Sequence, residues 1–303
     1  MLDWTAYRKS VLGNDPKSVL PPRVRLPVFP KAAVEFSRKS KEEDASPAEL
    51  AKIVETDSGL TCELLRHVNS SAFGLRRKIA TAKHAITTLG IRETCLFLLS
   101  SSLAGAIRGR QSKVIDIREF TANNLERAYF AAEVAKLLKA DTELAFSAAM
   151  MADFILPDIT TQLYPSYHDF AVDKGEQPQR LVQYEQATLG WDHAGAGALV
   201  MFKWGFPDDL ICCVMLHHHG FKVLADSTLR STSAAAVAVA SFLPDGFRQV
   251  PDGMELLVRL EQKWSAFRLM KIAERVHEQV ESIGMGLAEH CTLLRGCEAA
   301  CAT

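Results

Sequence analysis

The chain has 303 residues, 48% of them hydrophobic, and a formal net charge of -1. That length and composition bury a large core, in one domain or two coupled ones, and the near-neutral balance excludes a global basic field that would gather nucleic acid or anionic lipid. Seven cysteines, odd in number and irregularly spaced, argue against a disulfide framework and for reduced thiols in a cytoplasmic protein.

In chain order, the opening MLDWTAYRKS lacks the apolar stretch of a signal peptide. No later segment holds the roughly 18 uninterrupted apolar residues that span a bilayer, so no membrane partner is expected. The first clear helix start is Ser46-Pro47-Ala48-Glu49: Ser46 suits the cap, Pro47 the first helical position, and Glu49 completes a capping box. Leu50, Ile53 and Val54 then form the stripe of a buried helical face. A second helix is predicted from Thr61 to Val68, with Leu64, Leu65 and Val68 inward. Asn69-Ser70-Ser71 breaks it and Gly74 marks a turn. There the Asn69 and Ser70 side chains can bond nearby backbone, and Phe73 is expected to anchor the turn in the core. A short helix from Thr81 ends at Leu89-Gly90, and an apolar one follows from Ile91 to Ile107.

Gly109 to Asp116 reads as a polar connector. Beyond it helices are predicted over Arg118–Lys139 and Thr142–Ala152, then a looser region from Pro157 to Pro178. Arg180–Leu189, Asp192–Trp204 and Pro207–His219 form a helical series broken at Gly190 and at Gly205–Pro207. Asp192 suits the cap of the helix it begins. Trp191, Trp204 and Phe206 read as core. Thr228–Leu243 is alanine-rich and suits close packing, and Met254–Glu281 is one long helix or two. Past Gly284-Met285-Gly286 the tail is weakly patterned, and its Cys291, Cys297 and Cys301 lack the spacing of a zinc knuckle. No strand pair or repeat emerges, so the fold class is all-α, a compact multi-helix arrangement.

Three segments carry a resemblance: LPVFPKAAVEFSRKS (Leu26–Ser40), SPAELAKIVETDSGLTCELLRHVNSSAFG (Ser46–Gly74) and IATAKHAITTLG (Ile79–Gly90). They are similar to the HDOD family, with its Leu-Pro-x-x-Pro opening, its Asn-Ser-x-x-Phe/Tyr-Gly turn (Asn69, Ser70, Phe73, Gly74) and its Ala-Ile-x-x-Leu-Gly helix end. LGWDHAGAGALVMFKWGFPDDLICCVMLHHHG (Leu189–Gly220) resembles the family's later stretch, so the likeness runs from about Leu26 to Gly220. It implies a fold related to the HD-domain metal phosphohydrolases and a regulatory or scaffolding role in bacterial signalling. The organisation expected is an N-terminal helical subdomain over 20–113, a degenerate HD-like core over 114–285 and a tail over 286–303. No further signalling domain is recognisable, so the chain reads as a stand-alone member.

HD-type hydrolysis needs a divalent metal that lowers the pKa of bound water. The resemblance implies an early His, an adjacent His-Asp pair and a late Asp as ligands. Arg127 stands at the early position, and a guanidinium cannot ligate a cation. The pair is Ala152-Asp153, so only the carboxylate remains, and Ile155-Leu156 stands where Gly-Lys would follow. No Asp occurs within STSAAAVAVASFL. What is left is Asp153, His193 and the triplet His217, His218 and His219. On a regular helix adjacent side chains fan out by about 100°, so at most two of the triplet can address one ion. Next to Gly220 the triplet reads as a capping cluster on free carbonyls, with a residual metal or anion site through His217 or His218 as the alternative.

The expectation is therefore a non-catalytic regulatory module that binds a signalling protein or a small ligand, with no cofactor or metal. Its degenerate cavity would be lined by Arg127, Asp153, His193, His217 and His218, with an Arg127–Asp153 ion pair where a metal once stood. The alternatives are a metal-dependent phosphohydrolase or phosphodiesterase with non-standard ligands, and a nucleic-acid-binding regulator. The latter rests on little beyond Arg76-Arg77-Lys78, a short basic run that reads as a solvated face.

Overall fold

The computed structural model describes residues 2–26, 29–70, 73–75, 77–108, 110–172, 179–283 and 286–301. Pro27 of the Leu-Pro opening, Ser71, Arg76, Gly109, Pro178, Gly284 and Met285 lie outside the described residues, as does the side chain of Cys301. Among the described residues the protein is all-α, without strands.

Helix α1 (Trp4–Leu12) begins at the Asp3 cap and packs on a later core helix. Next come α2 (Lys31–Lys39), α3 (Pro47–Val54), α4 (Ser58–Val68), α5 (Ala82–Leu89) and α6 (Ile91–Arg108). Ser46 caps α3 through the amide of Glu49 (3.3 Å), and its hydroxyl also meets the Glu49 carboxylate (3.0 Å). Helix α4 starts three residues earlier than its apolar spacing suggests, because Asp57 caps it through the amide of Leu60 (3.1 Å). These helices bury Phe36, Leu50, Val54, Leu64, Val68 and Ile86 against one another.

The centre of the molecule is α7 (Ile117–Leu138), capped by Asp116 and packed along α8 (Thr142–Met151). After α9 (Leu156–Gln162) and α10 (Tyr164–Val172) come α11 (Leu181–Leu189), α12 (His193–Lys203) and α13 (Asp208–Leu216). A 3-10 turn (His217–His219) and a short α14 (Phe221–Ala225) lead to α15 (Ser233–Ala240). Alanine at Ala234, Ala235, Ala236, Ala238 and Ala240 lets α15 lie close between α7, α8 and α13, and every one of its residues is buried. Helix α6 joins the α2–α5 group to this core by touching α8 and α7.

The Met254–Glu281 stretch resolves into two helices, α16 (Gly253–Lys263) and α17 (Leu269–Ser282), separated by extended backbone at Trp264. The stretch read as a weakly patterned tail holds a 3-10 turn and α18 (Leu293–Cys301), which packs on α17. Its start is fixed from a distance: the buried Glu126 carboxylate accepts from the amides of Thr292 (3.0 Å) and Leu293 (3.0 Å). Such long-range capping satisfies amide groups that a helix start leaves open, and no local spacing announces it. The apolar stretch Thr142–Gln162 is 83% buried inside the protein, so its surface is spent in the core.

Candidate metal-like site

The site forms where α7, the α8–α9 junction, α12 and the histidine turn converge. Helix α7 is buried on most faces and carries Arg127, Asn123, Asn124, Glu126 and Glu133 inward. Helix α8 stops at Met151, and the turn after it delivers Asp153, which is fully buried. His193 is the first residue of α12, oriented by the Asp192 cap on the amide of Gly195 (2.8 Å). The turn His217–His219 ends at Gly220, whose φ of 46° a side chain would adopt only under strain. A Cβ there would also lie 2.6 Å from the Phe242 ring, so this tight exit needs glycine.

This geometry brings Arg127, Asp153, His193, His217 and His218 together. The Asp153 Oδ1 oxygen lies 3.2 Å from His193 Nε2 and 3.2 Å from His217 Nε2. His218 Nε2 lies 2.9 Å from His193 Nε2 and 3.2 Å from the Gln249 amide oxygen. His219 is exposed and outside the cluster. The other Asp153 oxygen accepts from Arg127 and from Gln249 Nε2 (2.7 Å). Arg127 donates its second terminal nitrogen to Asp245 Oδ2 (2.6 Å).

A carboxylate does follow α15, but beyond the helix: Asp245 sits just past Pro244, outside the segment searched in the sequence, and it grips Arg127. The outer ring nitrogens are also held. His193 Nδ1 faces Glu185 Oε2 at 2.6 Å, and Tyr167 donates to the other Glu185 oxygen at 2.7 Å. His217 Nδ1 donates to the carbonyl of Val214 (2.6 Å), a capping contact of the expected kind, and its other nitrogen still reaches Asp153. Spacing along the chain gave no sign of Glu185, Tyr167, Asp245 or Gln249.

The four groups Asp153, His193, His217 and His218 each offer one ligand atom within 4.8 Å of the others. Ligand atoms of a tetrahedral zinc site stand roughly 3.3 Å apart, close to the spacings here. With Nδ1 of His193 held by Glu185 and Nδ1 of His217 by the Val214 carbonyl, both Nε2 atoms point at Asp153 Oδ1 and donate to it; on giving up those protons they would present lone pairs to an ion there, with the outer nitrogens fixed as is usual for metal-binding histidine. Three imidazoles and one carboxylate thus fit one divalent transition ion. When bound, such an ion supplies Lewis acidity, and four protein donors leave a tetrahedral ion no open position for water.

Electrostatics divide the cluster. Burial opposes ionisation of Asp153, but the Arg127 guanidinium and the His193 and His217 hydrogen bonds overcome it and hold the carboxyl well below its usual range. Burial likewise works against a charged His193, yet Glu185 and Asp153 lift it to about 10. Burial and the neighbouring His217 and His193 rings push His218 well below the ordinary imidazole value. Burial drives Asp245 up against the pull of Arg127.

The family turn is built by Asn69. Its side-chain amide donates to the carbonyls of Leu65 (2.8 Å) and Ile79 (2.7 Å), and its oxygen accepts from the amide of Ile79 (2.8 Å). Phe73 does not anchor the turn in the core. It is 37% exposed and lies edge-on to His67, 5.1 Å between ring centres, because the Asn69 amide already closes the turn. Gly74 takes φ 54°, and the exposed Ser70 supplies backbone contacts only. Phe206 is buried and Trp204 stacks on Phe29, as core residues should. Cys291 and Cys297 are buried.

The HDOD domain profile matches residues 26–220, more than half of the chain. The chain belongs to the HDOD family. Among solved HDOD and HD-like structures, it is similar to a candidate phosphohydrolase from Shewanella amazonensis SB2B, at 23% identity and a TM-score of 0.61, covering 88% of this chain and 95% of that one. It is similar to an HDOD domain protein with unknown function from Geobacter sulfurreducens, at 16% identity and a TM-score of 0.58, covering 84% and 93%. A candidate signal transduction protein from Marinobacter aquaeolei VT8 shares 17% identity at a TM-score of 0.56, covering 95% of this chain and 65% of that one. At these identities the likeness speaks for the HD/HDOD helical fold. A curated relative, an uncharacterized protein of Treponema pallidum, is 22% identical over 247 residues, and this chain spans about half of its length (47%).

Proposed function

We propose that this HDOD protein is a non-catalytic regulatory module of the cytoplasm that works by binding a small ligand or a signalling protein. The observation that carries this reading is Arg127. Its guanidinium lies buried between Asp153 and Asp245, so a fixed cation stands where HD-type chemistry places a metal ligand. A buried guanidinium repels a second divalent ion and cannot be deprotonated to admit one. The remaining four donors take at most one ion, in a closed arrangement suited to holding helices together.

The second reading, a metal-dependent phosphohydrolase, has one observation in its favour. Beside His218 lies a cleft of about 410 Å³ with Arg180, His219 and Lys222 on its wall, groups that suit a phosphate. The test is turnover of phosphomonoesters and nucleotide diesters by protein loaded with zinc, manganese, iron or nickel. The regulatory reading expects none above background. Turnover abolished by the double variant His217→Ala, His218→Ala would establish the hydrolase instead.

A further inference from the structure

Between α15 and α16 the chain crosses the histidine cluster as a strap, residues 244–252. Its ends are pinched together: a Cβ at Gly253 would lie 2.0 Å from the carbonyl oxygen of Phe242. Several fastenings hold it down. Asp245 grips Arg127 (2.6 Å), and Phe247 is buried against the rings of Phe170 and Tyr167, 5.4 and 6.4 Å between centres. The Gln249 carbonyl accepts from the amide of Leu181 (3.0 Å) at the start of α11, and Asp252 pairs with Arg180 (2.6 Å). Between Phe247 and Gln249, Arg248 sits at φ 57°, a left-handed conformation that a residue with a side chain keeps only where its surroundings impose it. Here both neighbours are buried while Arg248 itself is exposed, so the strap is held in this shape by the two side chains it pushes inward.

The Gln249 side chain is 2% exposed and spans the cluster. Its nitrogen donates to Asp153 Oδ2 (2.7 Å), which fixes the end of the amide that faces His218. That end is Oε1, 3.2 Å from His218 Nε2. A carbonyl oxygen only accepts, so it holds a proton on that nitrogen. A protonated ring nitrogen has no lone pair for an ion, and His218 can serve Gln249 or a metal but not both. The other outer partners do not compete in this way. Glu185 and the Val214 carbonyl hold Nδ1 nitrogens, which ligation through Nε2 leaves in place, and Arg127 holds the Asp153 oxygen turned away from the histidines.

We propose that residues 244–252 form a metal-sensitive strap: Gln249 latches it to His218, and ligation of a divalent transition ion by Asp153, His193, His217 and His218 releases the latch. This rests on the regulatory reading above and names the ion as the small ligand and the strap as the element that responds. Through Asp245 and the Gln249 carbonyl, release reaches Arg127 and the start of α11.

Zinc titration of the metal-free full chain, read by competition with a chromophoric chelator and by amide hydrogen exchange, tests the strap. One zinc binds, and exchange over residues 244–252 rises at least about tenfold while α7 and α8 stay slow. Gln249→Leu, close in volume, binds zinc about tenfold tighter or more, because ligation no longer leaves a buried carbonyl oxygen without its donor. Its strap exchanges no faster with zinc than without. A residue that only orients the ligands would give the opposite sign, with zinc held less tightly on substitution. Equal or weaker zinc binding by folded Gln249→Leu overturns the proposal. So does zinc binding to the wild type with strap exchange unchanged, or no zinc binding at all. Should Gln249→Leu fail to fold, the wild-type exchange comparison decides alone. Turnover is read separately: a strap that does not respond leaves the non-catalytic reading standing, and hydrolysis would sink that reading alone.

Discussion

Replacing Arg127 with methionine keeps most of the side-chain volume and removes the charge between two buried carboxylates. Asp153 then retains Gln249, His193 and His217, while Asp245 retains the amide of Phe247 (2.8 Å) and a longer contact to that of Gln249 (3.4 Å). Removing one partner of a buried ion pair costs about 3–5 kcal/mol. The surviving partners place this case at the lower end, about 3 kcal/mol, or a urea midpoint about 1 M lower. Neutralising the orphaned acid in the double variant Arg127→Met, Asp245→Asn should recover about half of the loss, since an uncompensated buried charge is its main source.

The pH dependence has a definite sign. Asp153 has its folded pKa depressed, mainly by Arg127 acting against burial, so it contributes stability above the unfolded carboxylate value near 3.8 and loses it as pH falls further. Without Arg127 that contribution shrinks. The gap between wild type and Arg127→Met should therefore be widest near neutral pH and narrow on acidification below the carboxylate range. Equilibrium urea unfolding across this range measures both effects. An unfolding free energy unchanged to within about 0.5 kcal/mol, or no rescue by Asp245→Asn, would refute the claim that the guanidinium holds the two acids in place.

Other consequences are equally open to measurement. Asn69→Ala removes three hydrogen bonds, two of which tie the end of α4 to Ile79 and one of which holds the Leu65 carbonyl, and should lower stability by about 2–3 kcal/mol in chemical unfolding. Phe73→Ala, at an exposed position, should cost less than 1 kcal/mol by the same measurement. Glu126→Ala strips the start of α18 of its acceptor, so amide hydrogen exchange over residues 292–301 should rise while exchange in α7 and α8 stays slow. Elemental analysis after zinc loading should find no more than one ion per chain, and none in the double variant His217→Ala, His218→Ala.

Much of the fold could be read in the sequence because buried helices print their spacing on it. Leu50, Ile53 and Val54 mark α3, and the Ser46 and Asp192 caps give two helix starts. Arg127, Asp153 and the histidines were legible as a set because the family resemblance names the positions. The partners that hold them were not. Asp245 and Gln249 sit in a loop with no periodicity, and Glu185 reaches His193 across a helix break. The histidine triplet showed how few rings can share one point, but only tertiary packing decides which. The tail looked patternless because its ordering comes from Glu126, more than 160 residues away in sequence.

The central claim is that this HD-like site is closed by Arg127 and does no hydrolysis. Its most direct test is steady-state turnover of nucleotide phosphodiesters by full-length protein supplied with each divalent metal in turn, with metal content measured alongside. The account predicts background rates with every metal. Metal-dependent turnover that vanishes in the double variant His217→Ala, His218→Ala would contradict it.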